Sequence, residues 1–456
     1  MCIRDRKYTV LGANIAANSG GAGITLGTDK TGWTGSNFST DSRMIKGSFD
    51  AASGVLTAIL NSSANIYPKL DGELVTVLDN AYTADEVGPA HVNSDVKGVR
   101  FLSRATNDNF IGANSDLAAK TIESAARIAV AGAVPQMAMA ANNAAGAAIT
   151  QRTSIAQPDG NGMQSVSLNK ADGVNKKGAA LWIMPLYQGQ NAWGMEAGNF
   201  DLKWHGGLGG VALGGDYTFD NALRAGIAFN IGGGYAEGEG DLAKTTNSFN
   251  FWGLGAYAGW AVENFGITAD VNYTSTYNKV KQELPGAMQM RDLKSDITAY
   301  ALSSGLRAEY KFNTQYVDII PHLGVRYMYV NTDSYDVKSN GTVMHGDETS
   351  QNIWTFPIGV TFSKQVETGN GWYVKPSLDL GVLPATGDID AKSKIRFTGT
   401  GTKAELDTRT MDYMSYTGGL GLDFGNNNLS FGLNYNIQAS EHTTSHGVFG
   451  TARYEF

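Results

Sequence analysis

Residues 265–274 read Phe-Gly-Ile-Thr-Ala-Asp-Val-Asn-Tyr-Thr, with apolar or small side chains at every odd-numbered position. Successive side chains of a β-strand point to opposite faces, so this alternation predicts one greasy face and one polar face. The same period of two recurs in residues 354–363, 372–382 and 429–438. Sandwich strands usually run ~5–6 residues, whereas tilted membrane-spanning strands need ~9–11. The length of these segments favours strands whose greasy face contacts lipid.

Twelve such segments follow one another in the second half of the chain. They begin near Leu181, Gly209, Leu223, Phe249, Phe265, Ile297, Tyr316, Ile353, Trp372, Tyr413, Leu429 and Thr444. Short turns alternate with longer connections, which we expect at residues 188–199, 236–246, 279–294, 331–350 and 384–409. Up-and-down outer-membrane barrels have short periplasmic turns, long outside loops and an even strand number. The pattern therefore predicts an all-β fold, a 12-stranded antiparallel transmembrane β-barrel.

The polar rows of these strands supply the candidate lumen lining. Alternation places five polar side chains on the face opposite the greasy one: Asp270, Asn272, Asp379, Asn434 and Asn436. Aromatic residues lie toward the ends of the greasy rows, as expected at a membrane interface: Tyr273, Tyr327, Trp354 and Trp372.

Composition agrees with this fold and excludes several functions. The chain has 456 residues, of which 57 are glycine and 17% are charged, against averages of ~7% glycine and ~25% charged. A helical bundle is therefore disfavoured. The net charge of −8, with no basic block, argues against a nucleic-acid partner, because phosphates require clustered Lys and Arg. The single cysteine, Cys2, permits neither an internal disulfide nor a cysteine-based zinc site.

Residues 115–156 form an alanine-rich segment with helical character. Ser115 is the expected N-cap, and 24 uncharged residues separate Arg127 from Arg152. As a helix they would span ~36 Å, enough to cross a ~30 Å hydrocarbon core. Pro135 and several amide side chains make a lipid-facing span unfavourable. We expect either a slim helix inside the barrel or a soluble helix packed on a neighbour, broken or kinked at Pro135.

The chain before residue 114 is read as short strands and turns, including residues 55–60 and 74–78. The first six residues contain no apolar stretch of secretory length, so no signal peptide is expected there. They look like translated sequencing adapter, and we expect the natural chain to extend further upstream.

Enzymatic motifs are weak. The six histidines show no HExxH spacing, and the sequence has no GxSxG, P-loop or paired CxxC motif. We therefore expect no enzymatic activity, no metal site and no cofactor.

Residues 115–456 resemble the translocator unit of type V autotransporters. The resemblance rests on residues 123–134, 142–145, 181–187, 209–217 and on the ending Tyr454-Glu455-Phe456. It implies three regions: a passenger remnant at 1–113, which would be the end of a β-helix, a linker and lumen helix at 114–177, and the barrel at 178–456. The implied lumen-helix residues are Ala125, Ala126, Arg127, Ala129, Ala131, Ala144 and Ala145.

The same resemblance implies a function and partners. The chain would sit in the bacterial outer membrane as a monomer and export its own passenger to the cell surface. Its partners would be outer-membrane lipid, periplasmic chaperones and the barrel-assembly machinery, with Tyr454 and Phe456 as the assembly signal. The pair Asn142-Asn143 is either two tolerated polar residues or a self-cleavage site, because some autotransporters cut themselves at such a pair.

Two other functions stay open at this point. One is a porin-like channel or uptake pore with a helical plug. The other is a surface adhesin or enzyme whose active part lies upstream of this chain.

Overall fold

The structure is a computed structural model that describes residues 6–9, 44–50, 55–156, 178–219, 222–369, 371–426 and 429–455. Cys2 and Phe456 lie outside these ranges, as do residues 220–221, 370 and 427–428, which fall in three short turns between strands. None of the helices in the described ranges has both the length and the hydropathy to cross a membrane.

Twelve antiparallel wall segments form a closed barrel, as the sequence predicts. Each pairs with its neighbours in sequence, and the last pairs with the first. The segments are β4 Gly178–Ala197, β5 Phe200–Thr218, β6 Leu223–Gly240, β7 Thr245–Val262, β8 Phe265–Gln282, β9 Leu293–Tyr310, β10 Asp318–Thr332, β13 Thr349–Thr355 continued by β14 Ile358–Ser363, β16 Trp372–Gly387, β19 Met414–Gly425, β20 Leu429–Ser440 and β21 Thr443–Glu455.

One wall segment is interrupted. Alternation predicts a continuous strand through residues 354–363, but β13 and β14 are separated by Phe356 and Pro357. Proline has no N–H to give to the ladder, which weakens the pairing at this position. The carbonyl oxygen of Pro357 still accepts from Gly324 N at 2.8 Å, and both halves pair with β10.

A second proline lies where the barrel closes. Strands β21 and β4 pair from Thr443↔Ala192 to Glu455↔Ala180 in one register. The pairing is missing at Gly450 and Thr451, opposite Pro185 and Met184. We call this β21–β4 boundary the seam.

The predicted long loops are mostly strand instead. At 188–199 only two residues separate β4 from β5, and at 236–246 only four separate β6 from β7. Strands β4–β9 contain 18–20 residues, about twice the ~9–11 that cross a membrane. Their outer ends therefore project beyond the bilayer. In this projecting part neither face of the strands contacts lipid. The sequence therefore no longer alternates between apolar and polar residues, although the backbone hydrogen bonds between strands continue.

The remaining outer connections carry short hairpins and turns. They contain β11 Tyr335–Lys338 with β12 Thr342–Gly346, β17 Asp390–Phe397 with β18 Ala404–Arg409, and a 3₁₀ turn at Gly286–Met288. On the inner side, short β15 Val366–Gly369 pairs with β16. We call the end with the long hairpins the outer side, following the loop asymmetry of outer-membrane barrels.

The wall has the predicted inside and outside. Its outward residues are exposed in the absence of lipid, with Ile227 at 71%, Leu433 at 60% and Ile358 at 51% exposure. Their neighbours in sequence face the interior and are buried, among them Asn272 and Asn434.

The chain before residue 114 differs from its predicted β-structure. Three strands, β1 Arg6–Thr9, β2 Ile45–Asp50 and β3 Val55–Leu60, form an antiparallel sheet, whereas successive coils of a β-helix pair in parallel. Residues 74–78, predicted as a strand, lie inside helix α2. The helices of this region are α1 Ser63–Ile66, α2 Gly72–Thr83, α3 Lys97–Ala105 and α4 Asp108–Ile111, with a 3₁₀ turn at Pro89–His91.

The alanine-rich segment is three helices: α5 Ser115–Ala126, α6 Ile128–Ala131 and α7 Val134–Thr153. The N-cap of α5 is Asn114, one residue before the predicted Ser115, and its side chain accepts from Leu117 N at 3.0 Å. The break predicted at Pro135 occurs just before it, where Ala133 has a φ of +54° and Pro135 lies in the first turn of α7.

Candidate functional site

Helix α7 runs through the barrel from the outer to the inner side. Just before it begins, the Gly132 carbonyl oxygen accepts from Asn247 Nδ2 at 2.9 Å, near the outer end of β7. At the other end, Arg152 contacts Asp216 near the inner end of β5. The chain thus enters from outside, and the barrel then starts at Gly178 on the inner side.

The helix fits because its side chains are small. Ala138, Ala141 and Ala148 are 0% exposed, packed between the helix and the wall. Glycines in the wall leave room for the helical segment: a Cβ on Gly255 would lie 3.0 Å from Ile149 of α7, and one on Gly238 would lie 2.1 Å from the carbonyl oxygen of Ala131 of α6. Alanine and glycine at these facing positions bring the two backbones close together.

Asn142 anchors the middle of the helix to the wall. Its Nδ2 donates to the carbonyl oxygens of Asn272 on β8, at 3.1 Å, and Ala301 on β9, at 3.0 Å. The residue is 0% exposed. Asn143, next in the chain, is exposed and lines a lumen cavity. The predicted Asn-Asn pair therefore has two environments.

A buried charged network holds the inner end of the helix. Arg152 donates two hydrogen bonds of 2.6 Å to the two carboxylate oxygens of Asp216, and Arg224 lies 3.6 Å from the same carboxylate. Tyr257 Oη also donates to Asp216, at 2.8 Å, and accepts from Trp182 Nε1 at 2.8 Å. Paired, fully hydrogen-bonded charges of this kind fix one geometry in a dry site.

A second carboxylate receives the chain just after the helix. Glu309 on β9 accepts from the Ser154 hydroxyl at 2.8 Å and from Ile155 N at 2.8 Å. Arg307 Nε donates to the same carboxylate at 2.6 Å. The helix C-terminus is thus fixed to two different strands, β5 and β9.

The helix is not centred in the barrel. It packs against β7, β8 and β9. On its other side a cavity of about 330 Å³ separates it from β16, β19 and β20. This cavity is lined by Asn143 and Ala147 from the helix and by Asp379, Asn434 and Gln438 from the wall. The lumen is therefore occupied along one side and lined with polar groups on the other.

The outer mouth is closed by a buried ion network. Arg127 and Glu123 are both 0% exposed, and Arg127 Nε donates to Glu123 at 2.9 Å. Arg127 also donates to Thr408 Oγ1 on β18 at 2.7 Å and to Asp71 before α2 at 2.9 Å. Burial raises the pKa of the Glu123 carboxyl, and the Arg127 charge opposes that shift.

Residues 61–111, which we call the cap, cover this mouth. Phe101 of α3 stacks on Phe397 of β17 with ring centroids 5.7 Å apart. Arg104 donates to the carbonyl oxygens of Met288, at 2.7 Å, and Gln289, at 3.0 Å. The cap thus contacts two different outer connections of the barrel.

The predicted helix residues all lie in the helical segment and are buried. Ala125 and Ala126 end α5, Arg127 follows them, Ala129 and Ala131 lie in α6, and Ala144 and Ala145 lie in α7. Only the last two belong to the helix that runs down the lumen.

The predicted wall residues face inward. Asp270 accepts from Arg326 Nη2 at 2.8 Å and from Asn272 Nδ2 at 2.6 Å. Asp379 accepts from Thr361 Oγ1 at 2.6 Å. Asn434 and Asn436 line the cavity beside the helix.

The C-terminal signal is only partly described. Tyr454 lies on β21, between Leu429 of β20 and Leu181 of β4. Phe456 lies outside the described residues.

Sequence reasoning missed the charged anchors of the helix, namely Arg152 with Asp216, Glu309 and Glu123. A signal was present, because the charged residues Arg127 and Arg152 flank a long uncharged run. Within the described ranges, no three His, Cys, Asp or Glu side chains are grouped to hold a metal ion.

Comparison with known proteins gives a family. A family model described as "Autotransporter beta-domain" matches residues 181–436, more than half of the chain. Similar solved structures include the translocator domain of the autotransporter NalP from Neisseria meningitidis, at 15% identity and TM-score 0.47, covering 62% of this chain and 91% of that chain. Another is the transport unit of the autotransporter AIDA-I from Escherichia coli, at 16% identity and TM-score 0.47, covering 69% and 98%.

A third is the beta domain of the Bordetella autotransporter BrkA, at 12% identity and TM-score 0.45, covering 61% and 100%. No curated protein matches the chain. The family model spans nearly the whole barrel, and the chain belongs to the autotransporter β-domain family of the bacterial outer membrane.

Proposed function

We propose that this chain is an outer-membrane translocator that exports its own N-terminal passenger to the cell surface. The observation that carries the proposal is the path of the chain. The cap lies on the outer side, helix α7 runs through the lumen, and the first strand of the barrel begins on the inner side. A translocator that has finished export would leave its last crossing segment in the pore in this orientation.

The proposed transport involves no chemical step. The translocator family is not enzymatic. The lumen offers inward polar groups to a passing extended chain, and folding outside disfavours its return. When the alanine-rich segment arrives, burial of its small side chains and formation of the Arg152–Asp216 pair hold it in place.

The cap and the residues before it are proposed as the passenger remnant, spanning 1–113. The cap packs on the outer hairpins, so it lies where an exported segment would emerge.

Barrel lipid, periplasmic chaperones and the barrel-assembly machinery are the proposed partners during biogenesis. We propose that the machinery recognises the end of β21, with Tyr454 and Phe456 as its signal. A closed wall leaves no unpaired strand edge for association, which supports a monomer.

Asn142 is proposed as an anchor rather than a cleavage residue. Cyclisation requires its Nδ2 to lose a proton and attack its own carbonyl carbon. Here Nδ2 donates to two backbone carbonyl oxygens, which are poor bases. Intact-mass analysis of the outer-membrane protein tests this: one uncut mass supports the anchor, and fragments ending at Asn142 would establish cleavage.

Surface display tests the export function. An epitope placed before Arg6 should be accessible to antibody and to protease on intact cells. An epitope placed in the inner connection at 263–264 is the matched control and should become accessible only after the outer membrane is permeabilised. Detection of both epitopes only after permeabilisation would overturn the proposal.

Conductance separates the translocator from a porin-like channel. With α7 in the lumen and the cap over the mouth, single channels of the full chain should conduct little. Removal of residues 115–156 should raise the conductance. Steady, large conductance of the full chain would favour the pore.

A further inference from the structure

The outer projection of β8, β9 and β11 carries a row of lysines on its lipid-side face. Lys281 of β8 is the register partner of Lys294 of β9, and Lys294 is the partner of Lys338 of β11. All three are exposed. Like charges directly opposite each other destabilise a sheet, so this alignment needs a compensating anion.

The carboxylates around the row compensate it only in part. Asp292 pairs with Lys281 of the row at 2.9 Å. Three others pair with bases outside the row: Glu237 with Lys244 at 3.0 Å, Asp336 with His345 at 2.6 Å and Asp347 with Lys403 at 2.6 Å. Asp296 remains as the register partner of Lys279.

Five cations of the same surface have no ion pair with any residue the structure describes. These are Lys279, Arg291, Lys294, Lys338 and Arg396. Together with Lys281 they line one outer concavity of about 1330 Å³, which is also lined by Glu237, Asp292, Asp296, Asp336 and Asp347. We call this concavity the basic groove. Its excess of unpaired cations contrasts with the net charge of −8 of the chain.

The height of the groove above the membrane surface indicates which lipid headgroup could reach it. Aromatic rings in contact across four strands mark the outer interface: Trp252, Tyr273, Tyr300 and Tyr329, with centroids 5.6–6.1 Å apart. Lys279 follows Tyr273 by six residues, and Lys294 precedes Tyr300 by six. At ~3.3 Å per residue and a tilt of ~45°, the lysines lie ~14 Å above the rings.

That height exceeds the ~5–8 Å headgroup layer of an ordinary phospholipid. It suits a lipid whose phosphorylated saccharide extends outward from the leaflet. We propose that the basic groove binds the phosphorylated saccharide headgroup of an outer-leaflet glycolipid. The lysine ammonium groups donate hydrogen bonds to its phosphate oxygens, and the aromatic row lies beside its acyl region. Binding of this kind holds the barrel at a fixed depth in the outer leaflet.

The experiment measures binding of the full chain, in detergent micelles, to three probes. These are rough-type lipopolysaccharide, the same glycolipid after chemical removal of its phosphates, and inorganic phosphate. The test variant is Lys279→Gln/Lys294→Gln/Lys338→Gln. The control variant is Lys69→Gln/Lys203→Gln/Lys392→Gln, which removes the same charge from three exposed lysines that already have acidic partners outside the groove.

We expect the wild type and the control to bind the phosphorylated glycolipid alike, and the test variant to bind at least tenfold more weakly. Loss of lysine repulsion should leave the unfolding temperature of the lipid-free test variant unchanged or higher, which separates lost binding from lost folding. Equal binding by the test variant, or equal binding of the dephosphorylated glycolipid, would overturn the proposal. Saturation by inorganic phosphate at the same phosphate concentration would instead assign a free-anion site and also overturn it. Neither assay requires export.

Discussion

The guanidinium of Arg152, on the lumen helix, meets the carboxylate of Asp216, on the barrel wall, through two hydrogen bonds of 2.6 Å. Both side chains are almost completely buried. This pair joins the lumen helix to the barrel wall.

Asp216→Asn should loosen the inner end of the helix. The substitution removes the carboxylate that Arg152 and Arg224 share, and breaking a buried ion pair costs about 3–5 kcal/mol. The heat-induced mobility shift in SDS gels should therefore occur at a lower temperature. Glu405→Gln, in an exposed pair with Lys392, should leave the shift within experimental error. Equal shifts in the two variants would contradict the anchoring role.

Asn142→Ala should destabilise the protein by about 1–2 kcal/mol, because it removes two hydrogen bonds in a buried position. Chemical unfolding monitored by tryptophan fluorescence measures the change. Asn143→Ala is the neighbouring control, and its exposed side chain should contribute almost nothing. A larger loss from Asn143→Ala would show that the anchor is assigned to the wrong residue.

Ala148→Leu should overfill the contact between helix and wall. Ala148 is 0% exposed, and extra methylenes in a packed site cost about 1–3 kcal/mol. Ala147→Leu adds the same volume on the cavity side of the helix, where about 330 Å³ is open. The melting temperature should fall for Ala148→Leu and should stay unchanged for Ala147→Leu. Similar losses would mean that the helix is packed evenly on all sides.

Arg104→Ala should release the cap from the barrel. Arg104 donates to Met288 and Gln289 of the outer connection, and charge-assisted bonds are worth about 1.5–3 kcal/mol. Proteolysis within residues 84–111 on intact cells should speed up roughly tenfold. Arg100→Ala, on the same helix, is the control, because Arg100 bonds only to residues 93–95 within the cap. Unchanged proteolysis of Arg104→Ala would contradict the clamp.

Acid should loosen the outer connection after β8. The Lys281 ammonium donates to Asp292 and holds the pKa of that carboxyl below its ordinary value of 3.8. As the pH falls, Asp292 therefore becomes protonated at a higher pH in the unfolded state than in the folded state. The pair of Lys281 and Asp292 therefore stabilises this connection fully above about pH 3.8, and the stabilisation is lost as the pH falls past the lowered pKa of Asp292. Hydrogen exchange of residues 283–292 should rise with acid in the wild type, while Asp292→Asn should show a flatter profile.

The barrel was predictable because its main determinant, the alternation of apolar and polar residues in each wall strand, is visible in the sequence. Each wall strand has a greasy row facing lipid, and strict alternation over about ten residues has few other physical explanations. The strand number follows from the same rows, whereas the long connections predicted at 188–199 and 236–246 are mostly strand. The broken helix was predictable from Pro135, which leaves the preceding turn without a donor.

The outer projection was not predictable in the same way. Beyond the bilayer, residues such as those at 188–199 face water on one side and protein on the other, so the period fades while hydrogen bonding continues. Residues 74–78 form a short apolar run that was predicted as a strand, but they lie in a helix, because the cap buries Leu74, Val77 and Leu78 on one helical face. A short apolar run fits both structures.

The charged anchors needed the three-dimensional structure. Arg152 is 64 residues from Asp216, and only the barrel's register brings the two together. The lysine row has the same origin, since Lys281, Lys294 and Lys338 align only across paired strands. The sequence alone shows that these residues are charged, but it does not show which residues they contact.

The ladder of backbone hydrogen bonds is incomplete at the seam. Pro185 has no N–H, and the pairing skips Gly450 and Thr451 opposite it. The register between β16 and β13–β14 likewise skips Phe356 and Pro357. The wall is therefore not equally strong at every boundary, and neighbouring strands part more easily at these two places than across a complete ladder.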